Sequence, residues 1–189
     1  MVTTVERKRE AIDALTELVE EAHSRFSSLS SDQLNWKPDR KSWSIGQCFD
    51  HMITMNELYF PQLDQLGKKE KRPTLWEKTS PFSRFMGKQL VQSMRPENLK
   101  KTKTSGKAEP AVSDVDTRII GRFSDCQAQL IERIQHLPDD LDVKQTIITS
   151  PLISLVTYSL DDGLTLLVLH EQRHFGQAGR VMEASGFPD

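Results

Sequence analysis

The 189-residue chain predicts an all-α protein, a four-helix bundle. Three observations carry that expectation. Four stretches repeat apolar residues at three- and four-residue spacing, each opens at a serine or threonine suited to capping, and no stretch alternates with the period of two that a strand requires. Four amphipathic helices of about 20 to 25 residues bury their stripes most simply against one another.

The first helix is expected over about residues 3 to 26. Thr3 and Glu6 form a capping box, and Val5, Ile12, Leu15, Val19, Ala22 and Phe26 form the apolar stripe. The second opens at "SIGQ", where Ser44 caps and Gln47 reaches back. It continues through Ile45, Cys48, Phe49, Met52, Met55, Tyr59 and Leu63 to end near Gly67. The third is expected from Ser113 through Val115, Ile119, Phe123, Cys126, Leu130, Ile134 and Leu137, stopping at Pro138. The fourth starts around Ser159, with Asp161 and Asp162 at the positive end of its dipole, and stops at "SGFPD". Some 45 residues separate the second and third helices. There Ser80-Pro81 reads as the cap and first-turn proline of a short helix carrying Phe82, Phe85, Met86 and Leu90. A connection this long permits a crossover as well as a hairpin.

Length and patterning predict one domain over residues 1–189, with a basic crossover at about 67–112. Within residues 67–107, twelve Lys/Arg face three Glu, so this segment is +9, and the chain total of −2 leaves −11 for the remainder. The pI near 6.2 gives no global reason to expect nucleic acid, and a basic crossover is not a groove reader. Trp76, Phe82, Phe85 and Met86 among those lysines form either a small cluster packed over the bundle or a partner surface, including that of a homodimer. "MVTTVERKRE" is charged where a secretory signal needs an apolar stretch, and "LTLLVL" at Leu164 to Leu169 is far too short to span a bilayer. The expectation is a soluble cytoplasmic protein with no membrane partner. Its two cysteines, Cys48 and Cys126, are then thiols at apolar helix positions.

"HEQRHFGQ", residues 170 to 177, carries the chemistry. His170 and His174 lie four residues apart within the stripe Leu160, Leu164, Leu167, Ala178 and Val181, so both rings should point inward. An imidazole buried without a partner costs roughly 1 to 3 kcal/mol, which calls for acceptors, water or a shared metal. The pattern His-Glu-x-x-His marks zinc proteases, which draw a third ligand from downstream. Here Glu183 is the only carboxylate between His174 and the terminal Asp189, so the third ligand is sought upstream among His23, His51 and His136. His136 suits a helix cap and His23 ends the first helix, whereas His51 sits beside the apolar face with Cys48 and Met55 as neighbours. His51 is about 10 Å into its helix and His174 about 18 Å before the end of the fourth, levels that agree within two turns if the helices are antiparallel. Three imidazoles leave an open coordination position, and all-nitrogen ligation suits Zn, Ni or Fe. Cys48 is a further conceivable ligand, with an inert core thiol the plainer reading. Glu171 and Gln177 are candidates for orienting a ligand or moving a proton, Glu171 being equally suited to a surface ion pair.

The stretches "LSSDQLNWKPDRKSWSIGQCFDHM", "KTKTSGKAEPAV" and "SPLISLVTYSLDDGLTLLVLHEQRHFGQAGRV" resemble the DinB-like (DNA-damage-inducible, YfiT-related) superfamily of metal-binding four-helix bundles. The resemblance implies an up-down-down-up bundle with a crossover between helices two and three. It also implies a divalent metal on His51, His170 and His174. Family members of known activity are mostly transferases or isomerases using low-molecular-weight thiols, and others carry only the label of metal-dependent hydrolase. Three functions follow as expectations: a thiol-dependent S-transferase acting on a small-molecule substrate, a hydrolase using metal-activated water, and a non-catalytic metal-binding stress or interaction protein.

Overall fold

The computed structural model describes residues 3–95, 97–98, 106–110 and 114–189. Four long helices dominate: α1 (Thr4–Phe26), α3 (Ile45–Gly67), α6 (Ile119–Gln135) and α7 (Leu160–Met182). Shorter pieces join them: α2 (Ser31–Asn35), α4 (Leu75–Thr79), α5 (Ser83–Met94), a 3-10 turn at Gly106–Ala108, and an antiparallel hairpin of β1 (Ile147–Thr149) and β2 (Thr157–Ser159).

Contacts along the long helices give their directions. Lys8 near the start of α1 reaches Leu137 beyond the end of α6, while His23 near the end of α1 meets Ser124 near the start of α6, so these two are antiparallel. Arg7 pairs with Asp161 and Phe26 packs on Phe175, so α1 and α7 are parallel. Phe49 against Phe123 and Asp64 against Arg133 make α3 and α6 parallel, whereas Asn56 to Glu171 and Tyr59 to Tyr158 make α3 and α7 antiparallel. The result is an up-down-down-up bundle in which the segment from α3 to α6 must return along its length. No helix among the described residues is long and apolar enough to cross a membrane.

Each long helix contributes one phenylalanine to a buried aromatic stack. Phe26 meets Phe49 and Phe175 edge-on at centroid distances of 5.3 Å each, and Phe49 meets Phe123 at 5.1 Å. Such pairs add about 0.5–1.5 kcal/mol each beyond the area they bury. The stack ties all four helices together beside the histidines, Phe49 lying two residues before His51 and Phe175 directly after His174.

Several sequence expectations need correction. On α1 the buried positions are Thr4, Ala11, Leu15, Leu18, Ala22 and Phe26, so Val5 is exposed and the Thr4 hydroxyl turns in to donate to the Leu141 carbonyl. The expected start of the third helix at Ser113 lies outside the described residues, and α6 begins only at Ile119. The reason is Asn35, whose Oδ1 accepts from the Val115 N–H at 2.8 Å while its Nδ2 donates to the Val115 carbonyl at 3.0 Å. With that carbonyl engaged, the Ile119 N–H turns to Asp116. The anchored segment also presses on α3, because a Cβ at Gly46 would stand only 2.8 Å from the Val115 Cβ. Replacing Asn35 by alanine strands two backbone groups of Val115, and we expect a loss of about 1–3 kcal/mol in urea denaturation.

The hairpin also departs from the strand-free expectation. Its strands have three residues each, too few for an alternating pattern, and β2 is buried on both faces. α5 starts at Ser83 rather than behind Ser80-Pro81, since the Ser80 hydroxyl is engaged by Thr157 of β2 and Phe82 occupies the cap without a side-chain bond. α4, capped by Thr74, and α2, capped by Ser30, are additional helices. Trp76, Phe82 and Phe85 do not form a packed cluster; all three are exposed.

Candidate metal centre

The site forms where α3 and α7 cross antiparallel. Ser44 and Gln47 close a buried capping box that sets where α3 begins, and His51 follows two turns later with its ring buried. His170 and His174 stand one turn apart on the facing side of α7, both half-buried. One ligand atom from each of the three lies within 4.8 Å of the others. The ring centroids of His174 are 4.5 Å from those of both His51 and His170, and His51 Nε2 lies 2.9 Å from His170 Nε2.

On two of the rings the outer nitrogen is occupied, which orients the inner one. His51 Nδ1 donates to the Ala108 carbonyl at 2.5 Å, and His174 Nδ1 donates to Gln177 Oε1 at 3.1 Å. These bonds fix the tautomers and leave bare Nε2 atoms. Ala108 belongs to the 3-10 turn of the crossover and is fully buried, so that connection supplies part of the site's wall. Trp43, the residue before the α3 cap, lies over the rings. It stacks on His174 at 5.4 Å with a 22° interplanar angle and tilts against His51 at 4.8 Å.

All three imidazoles are held neutral. Burial lowers the pKa of His51, against the opposing pull of its bond to Ala108. Burial again, and repulsion from His174 and His51, push His170 well below its ordinary value. His174 is pushed down to about 3 by burial and by His51. Neutral, convergent nitrogens are what a divalent ion requires, and a tetrahedral ion with bonds of about 2.0–2.1 Å holds its nitrogens about 3.4 Å apart. The observed spacing brackets that value, so the trio can hold a metal ion.

The same shifts set a pH dependence. Each folded-state pKa is depressed, so the unfolded chain takes up more protons. The stabilising contribution is therefore complete above the unfolded value of about 6.5 and is lost as pH falls toward the folded one. In chelator, the thermal midpoint is expected to fall as pH is lowered from about 7 to 5. A midpoint that stays level over that range in wild type, or falls as steeply after His174→Phe, contradicts this account.

The remaining candidates are placed elsewhere. His23 hydrogen-bonds Ser124 at the α1–α6 surface, and His136 caps α6 by donating to the Glu132 carbonyl at 2.7 Å. Cys48 faces the core, its thiol pushed up to about 12 by burial, and Cys126 behaves alike. Glu171 forms no surface ion pair: it is fully buried. Its Oε1 accepts from Asn56 at 2.7 Å and its Oε2 from Gln127, a network inside the bundle. Desolvation raises its pKa to about 7.

Sequence reasoning missed four contributors. Trp43 lies in the stretch "LSSDQLNWKPDRKSWSIGQCFDHM", and Asn56 and Gln127 are polar residues on otherwise apolar faces, signals that were available. The Ala108 carbonyl carries no side-chain signal at all.

A family model described as the DinB superfamily matches residues 11–178. No curated protein and no solved structure matches the chain significantly.

Proposed function

Because the chain belongs to the DinB superfamily, we propose that it is a metal-dependent transferase of the thiol-dependent type. In this reading His51, His170 and His174 hold one divalent ion, Zn, Ni or Fe, and a low-molecular-weight thiol attacks a small electrophilic substrate. When bound, such an ion lowers the pKa of a thiol on its open side and so supplies a nucleophile at neutral pH. The chain's own residues orient and enclose. Ala108 and Gln177 hold two rings in register, and Trp43 shields them from water.

The single observation that carries this reading is the placement of Glu171 beside three neutral imidazoles. Water-activating sites with a His-Glu-x-x-His helix use the glutamate as general base. Here both Glu171 oxygens are engaged by the Asn56 and Gln127 amides inside the bundle, which holds the carboxylate in a core network and does not present it as a general base to a nucleophile at the rings. Thiols, with pKa near 8.5, need far less help than water. A cytoplasmic location fits, since reducing conditions supply such thiols and keep Cys48 and Cys126 unpaired.

The test is an assay of metal-loaded protein with a panel of low-molecular-weight thiols and electrophiles. Metal-dependent thiol consumption above the uncatalysed rate, absent in apo protein, is expected. Turnover of amides or esters without thiol would move the assignment to a hydrolase, and metal binding without turnover would leave a non-catalytic protein.

A further inference from the structure

Far from the histidines, three segments converge on one outer face. Trp76 Nε1 donates to the Leu155 carbonyl at 3.0 Å, linking α4 to the hairpin tip. Ser80 and Ser83 both bond the Thr157 hydroxyl, linking the start of α5 to β2. Glu77 ties α4 to β1 through Thr149. The face so assembled presents Leu75 at 77% exposure, Leu155 at 74%, Phe82 at 62%, Phe85 at 59%, Ile153 at 55% and Trp76 at 41%. Taking roughly 200 Å² for a large apolar side chain, they expose on the order of 700 Å², above the roughly 300–600 Å² of a typical monomer's largest apolar patch.

The exposed charges that α4, α5 and the hairpin contribute are cationic, and Asp162 of α7, which packs against Gly87 of α5, is half-buried and accepts from the Ser159 hydroxyl. Arg72, Lys78, Arg84 and Lys88 are exposed around the apolar residues and make no ion pair among the described residues. The only carboxylate between residues 71 and 95 is Glu77, and it is turned inward onto Lys71, Thr74 and Thr149. Residues 143–160 of the hairpin contain no acid. Pairing this face with itself across a two-fold axis would set cations against cations. Pairing it with an acidic surface elsewhere on a second copy would be heterologous and open-ended. The partner it fits is anionic. The apolar side chains stand out from two short helices and a hairpin tip, which suits a deformable surface that accepts each of them separately.

We propose that this face docks on the surface of an anionic lipid bilayer. Leu75, Phe82, Phe85 and Leu155 enter the interfacial region while Arg72, Lys78, Arg84 and Lys88 meet the headgroups. This is contact with a membrane surface, not a span, and it is independent of the metal reading.

The full chain is sedimented with vesicles of phosphatidylcholine containing about one third phosphatidylglycerol, and with pure phosphatidylcholine. Binding to the anionic vesicles alone, weakened by salt, is expected. Phe82→Ser with Phe85→Ser, and separately Arg84→Glu with Lys88→Glu, should each reduce it by at least about tenfold. These side chains are exposed, so circular dichroism and the thermal midpoint should match wild type, and only variants that pass this check are scored. Absence of vesicle binding, equal binding to neutral vesicles, or binding that both variants retain overturns the proposal. So does a dimer in sedimentation velocity that Phe82→Ser with Phe85→Ser dissolves while wild type ignores vesicles, which would give the face to a second copy. Capture of an acidic protein without vesicle binding overturns it equally.

Discussion

His51→Ala is expected to reduce divalent-metal affinity by at least about 100-fold, as measured by competition with a chromophoric chelator. The bound is set by comparison: loss of an outer hydrogen-bond partner alone typically costs 10–100-fold, and here a nitrogen would be lost outright. His51 is also the only member of the trio contributed by α3, so its removal leaves two rings on one helix with no opposing donor. Gln177→Ala provides the graded control. It frees the Nδ1 of His174 without removing a nitrogen, and about a tenfold loss is expected. Elemental analysis of unchelated wild type beside His51→Ala reads the same quantity independently. Equal metal content in the two proteins, with the variant folded, would remove the three-imidazole centre from consideration.

Glu171→Gln tests the buried network, and its largest effect should appear as a pH dependence. The folded pKa of Glu171, about 7, lies above the unfolded value, so the folded state holds its proton more tightly. Its contribution is therefore fully present below about pH 4.5 and is lost as pH rises through 7. The amide does not titrate, so the stability difference between wild type and Glu171→Gln in chelator should shift against wild type by on the order of 3 kcal/mol between about pH 4.5 and 7.5. This slope is opposite in sign to that of the imidazoles, which the subtraction cancels because both proteins carry all three. Glu171→Leu removes the acceptor for Asn56 and Gln127 together. It should cost about 1–3 kcal/mol for each amide left unpaired. Urea titrations at several pH values measure both effects, and a pH-independent difference between wild type and the glutamine variant would refute the raised pKa.

What was legible came from repetition along one helix at a time. The buried faces of α3 and α7 follow directly from spacings of three and four residues, as does the shared face of His170 and His174, because helical geometry maps local sequence onto local position. The caps at Thr3 and Ser44 were readable for the same reason, each bond spanning three residues. The start of α6 was not. It depends on Asn35, 80 residues away, and no local window contains that bond. The hairpin escaped notice because three residues are shorter than any period a strand could display. For Trp76, Phe82 and Phe85 the sequence left a packed cluster and a partner surface both open, and only the arrangement of α4, α5 and the hairpin shows that they stand exposed.

Glu171 shows the division most plainly. By itself the sequence determined a helical chain of this superfamily with two histidines on one face of its last helix, since those properties reside in short-range spacing and in motifs. The sequence also pointed to His51 as the third histidine, by its depth in the second helix and by the resemblance. Only the tertiary structure decided that the Ala108 carbonyl and Gln177 hold two of the rings and that the neighbouring glutamate faces the core instead of solvent. Those outcomes depend on which partners other helices bring within about 3 Å, and a hydrogen bond falls off so steeply with distance and angle that sequence position alone cannot set it.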